Sequence, residues 1–179
     1  MPRNLLSIST MVVATTLIVA CNSNDSTSPR QATTADRAFI DGMVPHHGQA
    51  MLSADMAIAR AVHPELKQFA TNMKADQGRE IDSLKARKLA WFGTDSTPTP
   101  MMPADIPAGP NFDLQWIKMM LTHHEGAVDM SQLLLSGDAR IEDDTLAQHI
   151  ITEQRSEQQQ LRTWAQQWYG VTPSIAPRQ

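Results

Sequence analysis

The sequence predicts an all-α protein, a four-helix bundle built from two duplicated antiparallel helical hairpins. Three observations carry this. A motif returns downstream at an offset of 77 residues. Each copy holds two stretches with apolar residues at helical spacing, and no segment shows convincing strand alternation. Between the copies, Thr94 to Pro110 holds five prolines and reads as a connector rather than an element.

The recurrence is explicit. Phe39-Ile40-x-x-Met43-x-x-His46-His47-x-x-Ala50 returns as Trp116-Ile117-x-x-Met120-x-x-His123-His124-x-x-Ala127. Farther on, Asp76-Gln77-x-x-Glu80-x-x-x-Leu84 returns as Glu153-Gln154-x-x-Glu157-x-x-x-Leu161.

In chain order, residues 1–20 read as a secretory signal, with Arg3 before an apolar stretch from Leu5 to Ala20. The stretch ends Ile18-Val19-Ala20-Cys21, which resembles a bacterial lipobox. Cys21, the single cysteine, is then the expected lipidation site. Residues 21–34 are polar and read as a flexible tether. The expected location is therefore an exported, membrane-anchored lipoprotein facing the periplasm or the cell exterior.

The bundle is expected over 35–170, with repeat one at 36–92, a Pro-rich connector at 93–111 and repeat two at 113–169. A tail follows at 171–179. The first helix is expected at about 35–61, with Pro45 kinking it. The second runs about 64–91, with Pro64 at its first position and Gly93 at its end. The third covers about 112–136 and stops at Ser136-Gly137. The fourth covers about 140–169 and stops at Gly170. Short turns within each copy make antiparallel hairpins, and two hairpins make a bundle.

Composition narrows the function. The chain holds 11 Met and 6 His but one Cys, which excludes an intramolecular disulfide framework and a Cys-based zinc site. Net charge is −4 with no Lys/Arg cluster, which argues against a nucleic-acid partner. No Ser-His-Asp or phosphate-loop signature is present, so a non-enzyme is expected.

In an antiparallel hairpin, residues equidistant from the turn lie level. With turns near 62 and 139, both hairpins place His-His within a helical turn of Gln-x-x-Glu. Gln77, Glu80, Gln154 and Glu157 fall in the middle of apolar stripes, where a carboxylate is costly unless paired or bound to a metal. The level histidines are the obvious partners. Met43, His46, His47 and Ala50 share one arc of the first helix, as Met120, His123, His124 and Ala127 do on the third. Imidazole with thioether favours copper, as Cu(I) or Cu(II), over magnesium, calcium or manganese.

The candidate ligands are thus Met43, His46, His47, Met51, Met120, His123, His124 and Met130, with Gln77, Glu80, Gln154 and Glu157 as supporting or additional ligands. Met51 is one turn from His47. Met130 lies seven residues beyond His123, too far along a straight helix for the same ion, though within reach of a second one. Met101-Met102 reads as a mobile capture pair in the connector. His63 is expected to cap a helix, and His149 to be solvated or a packing residue.

The motifs Phe39-Ile40-Asp41-Gly42-Met43-Val44-Pro45-His46-His47 and Met119-Met120-Leu121-Thr122-His123-His124-Glu125-Gly126-Ala127-Val128-Asp129-Met130, with Gln-x-x-Glu on the following helices, resemble the bacterial "domain of unknown function" family 305. The resemblance covers roughly residues 36–169. It implies a ferritin-like four-helix bundle, exported, with some members implicated in copper binding or resistance. The first copy departs from the family pattern at Gly48-Gln49 and at Ser53, where a Met would follow.

The leading expectation is a lipid-anchored copper-binding protein that sequesters or hands over the ion. Its expected partners are the metal, the membrane through Cys21, and a second copy or a copper donor or acceptor protein. One alternative is a ferritin-like di-metal oxidoreductase, but that class needs Glu-x-x-His, and Met43 and Met120 stand where its Glu would be. Another is a metal-free structural or partner-binding lipoprotein, with the His–Glu layer as a polar core.

Overall fold

The computed structural model describes residues 31–137 and 141–174. The expected signal segment, Cys21, most of the tether and the end of the tail lie outside the described residues. Four helices follow in order: α1 Thr34–Arg60, α2 Pro64–Phe92, α3 Phe112–Leu135 and α4 Ile141–Tyr169. Among the described residues there is no strand.

Local chemistry sets the helix ends. Thr33 and Asp36 form a capping box at the start of α1: the Asp36 backbone N–H donates to Thr33 Oγ1 at 3.2 Å, and the Thr33 N–H donates to Asp36 Oδ2 at 2.6 Å. Pro64 opens α2, where its missing N–H costs nothing. Gly93 closes α2 at φ +72°, a left-handed conformation that favours glycine. The helix α1 runs unbroken through Pro45. Met43, Val44 and His47 are all buried around it, so packing on both sides holds the register that one lost hydrogen bond would loosen.

His63 corrects an expectation. It stands at the N-cap position of α2, but its side chain makes no cap bond. Instead Nδ1 lies 2.7 Å from Asp113 Oδ2, and the ring stacks on Trp168 at 3.8 Å between centroids. The fully buried Asp113 carboxylate also accepts the backbone N–H groups of Val62 at 2.8 Å and His63 at 2.9 Å. One anion from the start of α3 therefore ties down the α1–α2 turn.

α1 pairs with α2 and α3 pairs with α4, and the two hairpins meet through α1 and α3. Those two run antiparallel. Asp113 meets the end of α1, Trp116 Nε1 donates to the Ser53 carbonyl at 2.9 Å, His123 meets His46, and Met130 packs on Gly42. Since α2 also runs against α1, α2 and α3 point the same way, and the connector must travel the length of the bundle. It does so along α1. Lys88 Nζ donates to the Ser96 carbonyl near one end, the Pro100 ring sits on Gly48 at mid-helix, and Arg60 Nη1 donates to Asp105 Oδ1 (2.6 Å) and the Ile106 carbonyl (2.7 Å) at the other. One long crossover is the ferritin-like arrangement. A Cβ at Gly48 would collide with Pro100, so this close approach requires glycine.

The core falls into two apolar clusters. One gathers Ala54, Leu66, Met73, Trp116, Ile117, Met120 and Leu161. The other gathers Phe39, Ile40, Met43, Leu84, Ala127, Leu134 and Ile150. Each large side chain buried here contributes about 1.5–3 kcal/mol relative to exposure. A polar layer of histidines and glutamines falls between the clusters in sequence on every helix.

Asp113→Ala removes a buried carboxylate that three donors share. Thermal or urea unfolding should show a loss of about 3 kcal/mol, since hydrogen bonds to charged groups are each worth about 1.5–3 kcal/mol. An unchanged midpoint would mean that the turn holds without it.

Candidate metal centre

The polar layer is built from the two His-His pairs. Adjacent residues on a helix point about 100° apart, so each pair faces two ways. His46 and His123, equivalent positions of the two repeats, meet across the α1–α3 seam with ring centroids 3.7 Å apart and planes tilted by 33°. Equivalent residues of a duplicated unit touch only near the local two-fold axis, so that axis passes between these rings. The four histidines form one continuous cluster: the His46–His47 and His123–His124 rings lie 6.2 and 6.4 Å apart.

His47 and His124, both fully buried, face the other helix of their own hairpin. His47 Nε2 is 2.7 Å from Glu80 Oε2, in hydrogen-bond geometry. His124 Nε2 is 2.8 Å from Glu157 Oε2, a contact out of line for a hydrogen bond. The level positions predicted from the sequence thus meet, through the second histidine of each pair. A carboxylate beside Nε2 favours the proton there and leaves Nδ1 with its lone pair. Nδ1 of His47 and of His124 are both buried without a hydrogen-bond partner. Neither ring nitrogen of His123 has an aligned partner either. Unmet buried nitrogens cost about 1–3 kcal/mol each, a cost that an incoming Lewis acid would relieve.

The cluster keeps the His123 imidazole neutral. The His123 pKa is pushed down from 6.5 to about 2, chiefly by burial and then by repulsion from His46, His124 and His47, with the His46 backbone opposing slightly. Neutral imidazole is the form that binds metals. Glu125, next to His124, is not available as a ligand. Arg155 grips both its oxygens, at 2.5 and 3.1 Å, and Gln158 Nε2 donates to it at 3.0 Å. Burial alone would raise its pKa, but the hydrogen bonds from Gln158 and Arg155 outweigh this and lower it.

The methionines divide. A groove of about 390 Å³ on the α1–α3 face is lined by His46, Gln49, Met119, Thr122, His123, Gly126 and Met130. Met130 therefore shares a groove with His46 and His123. The expected reach was measured along α3 alone, whereas the groove runs along the seam of two crossing helices. Met119 was missed, although it precedes His123 by one full turn. Met43 and Met120 are fully buried and belong to opposite apolar clusters, each one turn from the histidines of its own helix. Met51 points elsewhere: it lines a separate groove with Lys74, Gly78 and Asp82, and its Cε packs on Gly78. Four residues past His47 the helix has turned 40° further, toward the outside of the hairpin.

Gln77 and Gln154 are buried, each with Oε1 unpartnered. With Glu80 and Glu157 they line a second groove, between α2 and α4. His149, expected to be solvated or a packing residue, also lines that groove. Among the described residues no three His, Cys, Asp or Glu side chains already converge on one point. A metal at the His cluster would therefore use thioether donors beside imidazole. Met101 and Met102 are about three-quarters exposed on the connector, just beyond the Pro100 contact.

A bundle of duplicated hairpins around a carboxylate-supported histidine layer is the class of protein these features define. The chain belongs to the family described as Domain of unknown function (DUF305), which it matches over residues 31–111 and 113–177. Among solved structures it is similar to CopM. The Cu(I)-bound form is 40% identical with a TM-score of 0.67, and the apo form is 41% identical with a TM-score of 0.68; each match covers 75% of this chain and 98% of CopM. CopM has also been solved in Cu(II)-bound and Ag-bound forms. A DUF305 protein from Streptomyces coelicolor shares the fold at 19% identity, TM-score 0.70, covering 80% of this chain and 98% of that one. An uncharacterized protein of Acanthamoeba polyphaga mimivirus is 32% identical over 56 residues, 31% of this chain and 37% of that protein.

The low pKa of His123 has a consequence for the metal-free protein. The unfolded chain takes up a proton below pH 6.5 and the folded chain does not, so stability is full above that pH and falls as pH drops toward 2. Urea denaturation at pH 7 and at pH 5 should differ by up to about 2 kcal/mol from this residue. His123→Gln should flatten the slope, and an equal slope in the variant would count against the assignment.

Proposed function

We propose that this chain is a lipid-anchored, extracytoplasmic copper-binding protein that sequesters the ion or passes it on. The observation that carries the reading is the meeting of His46 and His123 at the local two-fold, with burial holding His123 neutral and with Met119 and Met130 lining the same groove. Imidazole and thioether together suit Cu(I). Buried His47 and His124 offer Nδ1 lone pairs behind that pair, oriented by Glu80 and Glu157. Met43 and Met120 add flexible thioethers one turn from the histidines of their own helices.

The similarity to CopM, solved with Cu(I), Cu(II) and Ag, supports the same cargo here. The seam groove gives an exchange route, and handing the ion over needs no chemistry beyond ligand substitution. The anchor rests on the Ile18-Val19-Ala20-Cys21 sequence. A purely structural role for the layer would leave the buried nitrogens unmet. A di-metal oxidoreductase would need carboxylates beside His46 and His123, where the groove offers methionines instead.

The test is titration of the metal-free, untagged protein with Cu(I) in competition with a chromophoric chelator. Replacing both His46 and His123 by Ala should weaken binding by more than the roughly 10–100-fold that loss of an outer-shell partner costs. Glu80→Gln with Glu157→Gln should fall within that range. Affinity that survives the double His replacement would remove this reading.

A further inference from the structure

We propose that the groove between α2 and α4 is a second cation site, chemically harder than the histidine–methionine seam, that takes a borderline divalent ion such as Zn(II). It encloses about 380 Å³. The residues that would hold the ion are Glu80 and His149 with the amide groups of Gln77 and Gln154, all of which line it.

Two independent observations point to a ligand. The first is a pair of unmet buried amide oxygens. Gln77 and Gln154 are 3% and 2% exposed, sit at equivalent positions of the two repeats, and both lack a partner at Oε1. A buried carbonyl left unmet costs about 1–3 kcal/mol, and here both glutamine side chains line one polar groove. The second is a spacing. Glu80 Oε1 and His149 Nε2 are 3.8 Å apart, too far for a hydrogen bond. Two donors bound to one ion at about 2.0–2.2 Å stand about 3.4–3.8 Å apart when the angle between them lies between tetrahedral and about 130°.

Charge points the same way. Asp76, Glu80, Glu153 and Glu157 line the groove against one guanidinium, Arg79, and Arg79 is already bound to Asp76. The amide oxygens complete the set, since no three His, Cys, Asp or Glu side chains converge among the described residues. One imidazole with several oxygens and no sulfur disfavours Cu(I) and suits a divalent ion. Glu80 and Glu157 each turn one oxygen to a buried histidine, leaving the other for the groove.

This inference does not rest on copper binding, and the two are separable by experiment. The untagged chain is first saturated with Ag(I), which occupies soft donors, and Zn(II) is then added in a calorimeter. One Zn(II) per chain should bind with a Kd of about micromolar or below. His149→Ala, at an exposed position, should weaken Zn(II) by about tenfold or more, and Glu153→Gln should weaken it less. Both should leave Ag(I) uptake unchanged. Replacing His46 and His123 should do the reverse. Zn(II) excluded by Ag(I), or bound equally well by the His149 variant, would overturn the proposal. Loss of Ag(I) uptake alone would count only against the copper reading.

Discussion

The rest of the structure depends on one constraint: four imidazoles gather in the middle of a helical bundle, His47 and His124 fully buried and His46 and His123 half-buried at the seam. Apolar packing cannot satisfy them, so neighbouring elements supply what it cannot. Glu80 and Glu157 stand against the outer nitrogens of His47 and His124, and mutual repulsion with burial keeps His123 neutral. Arg155 and Gln158 occupy Glu125, so no stray carboxylate is left beside His124. The apolar core divides into two clusters, with Met43 in one and Met120 in the other. Without the layer this would be an ordinary bundle with a continuous core.

Much of this is legible in the sequence because the chain states it twice. Repeat spacing and proline and glycine punctuation locate all four helices, and counting from the turns brings His-His level with Gln-x-x-Glu. Direction around the helix axis is harder to read. His46 and His47 differ by about 100°, and only the crossing of α1 with α3 decides which of them meets its own counterpart and which meets a carboxylate. For the same reason Met51 lines a groove away from the histidines, while Met130 lines theirs. A single helix cannot show whether a residue one or two turns away faces the neighbour or the outside.

Other features were silent for a different cause. His149 has no partner in its own hairpin; its relation to Glu80 exists only because α2 and α4 face each other across a groove. The ends of the bundle hold another example. Asp36 and Asp113 stand at the same repeat position in the first turns of their helices, and both are fully buried. Asp113 is held by the α1–α2 turn that it closes. The path of the connector rests on the absence of a side chain at Gly48, which no periodicity reports.

Adjacent histidines on one helix, copied once, therefore do more than double a ligand set. The first of each pair meets its copy at the seam and draws the methionines Met119 and Met130 into the same groove. The second of each pair turns away from the seam, toward carboxylates on the outer helices. Soft donors gather on one side of the layer and hard donors on the other. Sorting of this kind needs no long-range design. It follows from a 100° step between neighbours, a two-fold axis between the copies, and the rule that a buried carboxylate must have a partner. Any second duplication of a His-His helix packed this way would separate its donors in the same sense, with the chemistry of each groove set by the residues one turn from the pair.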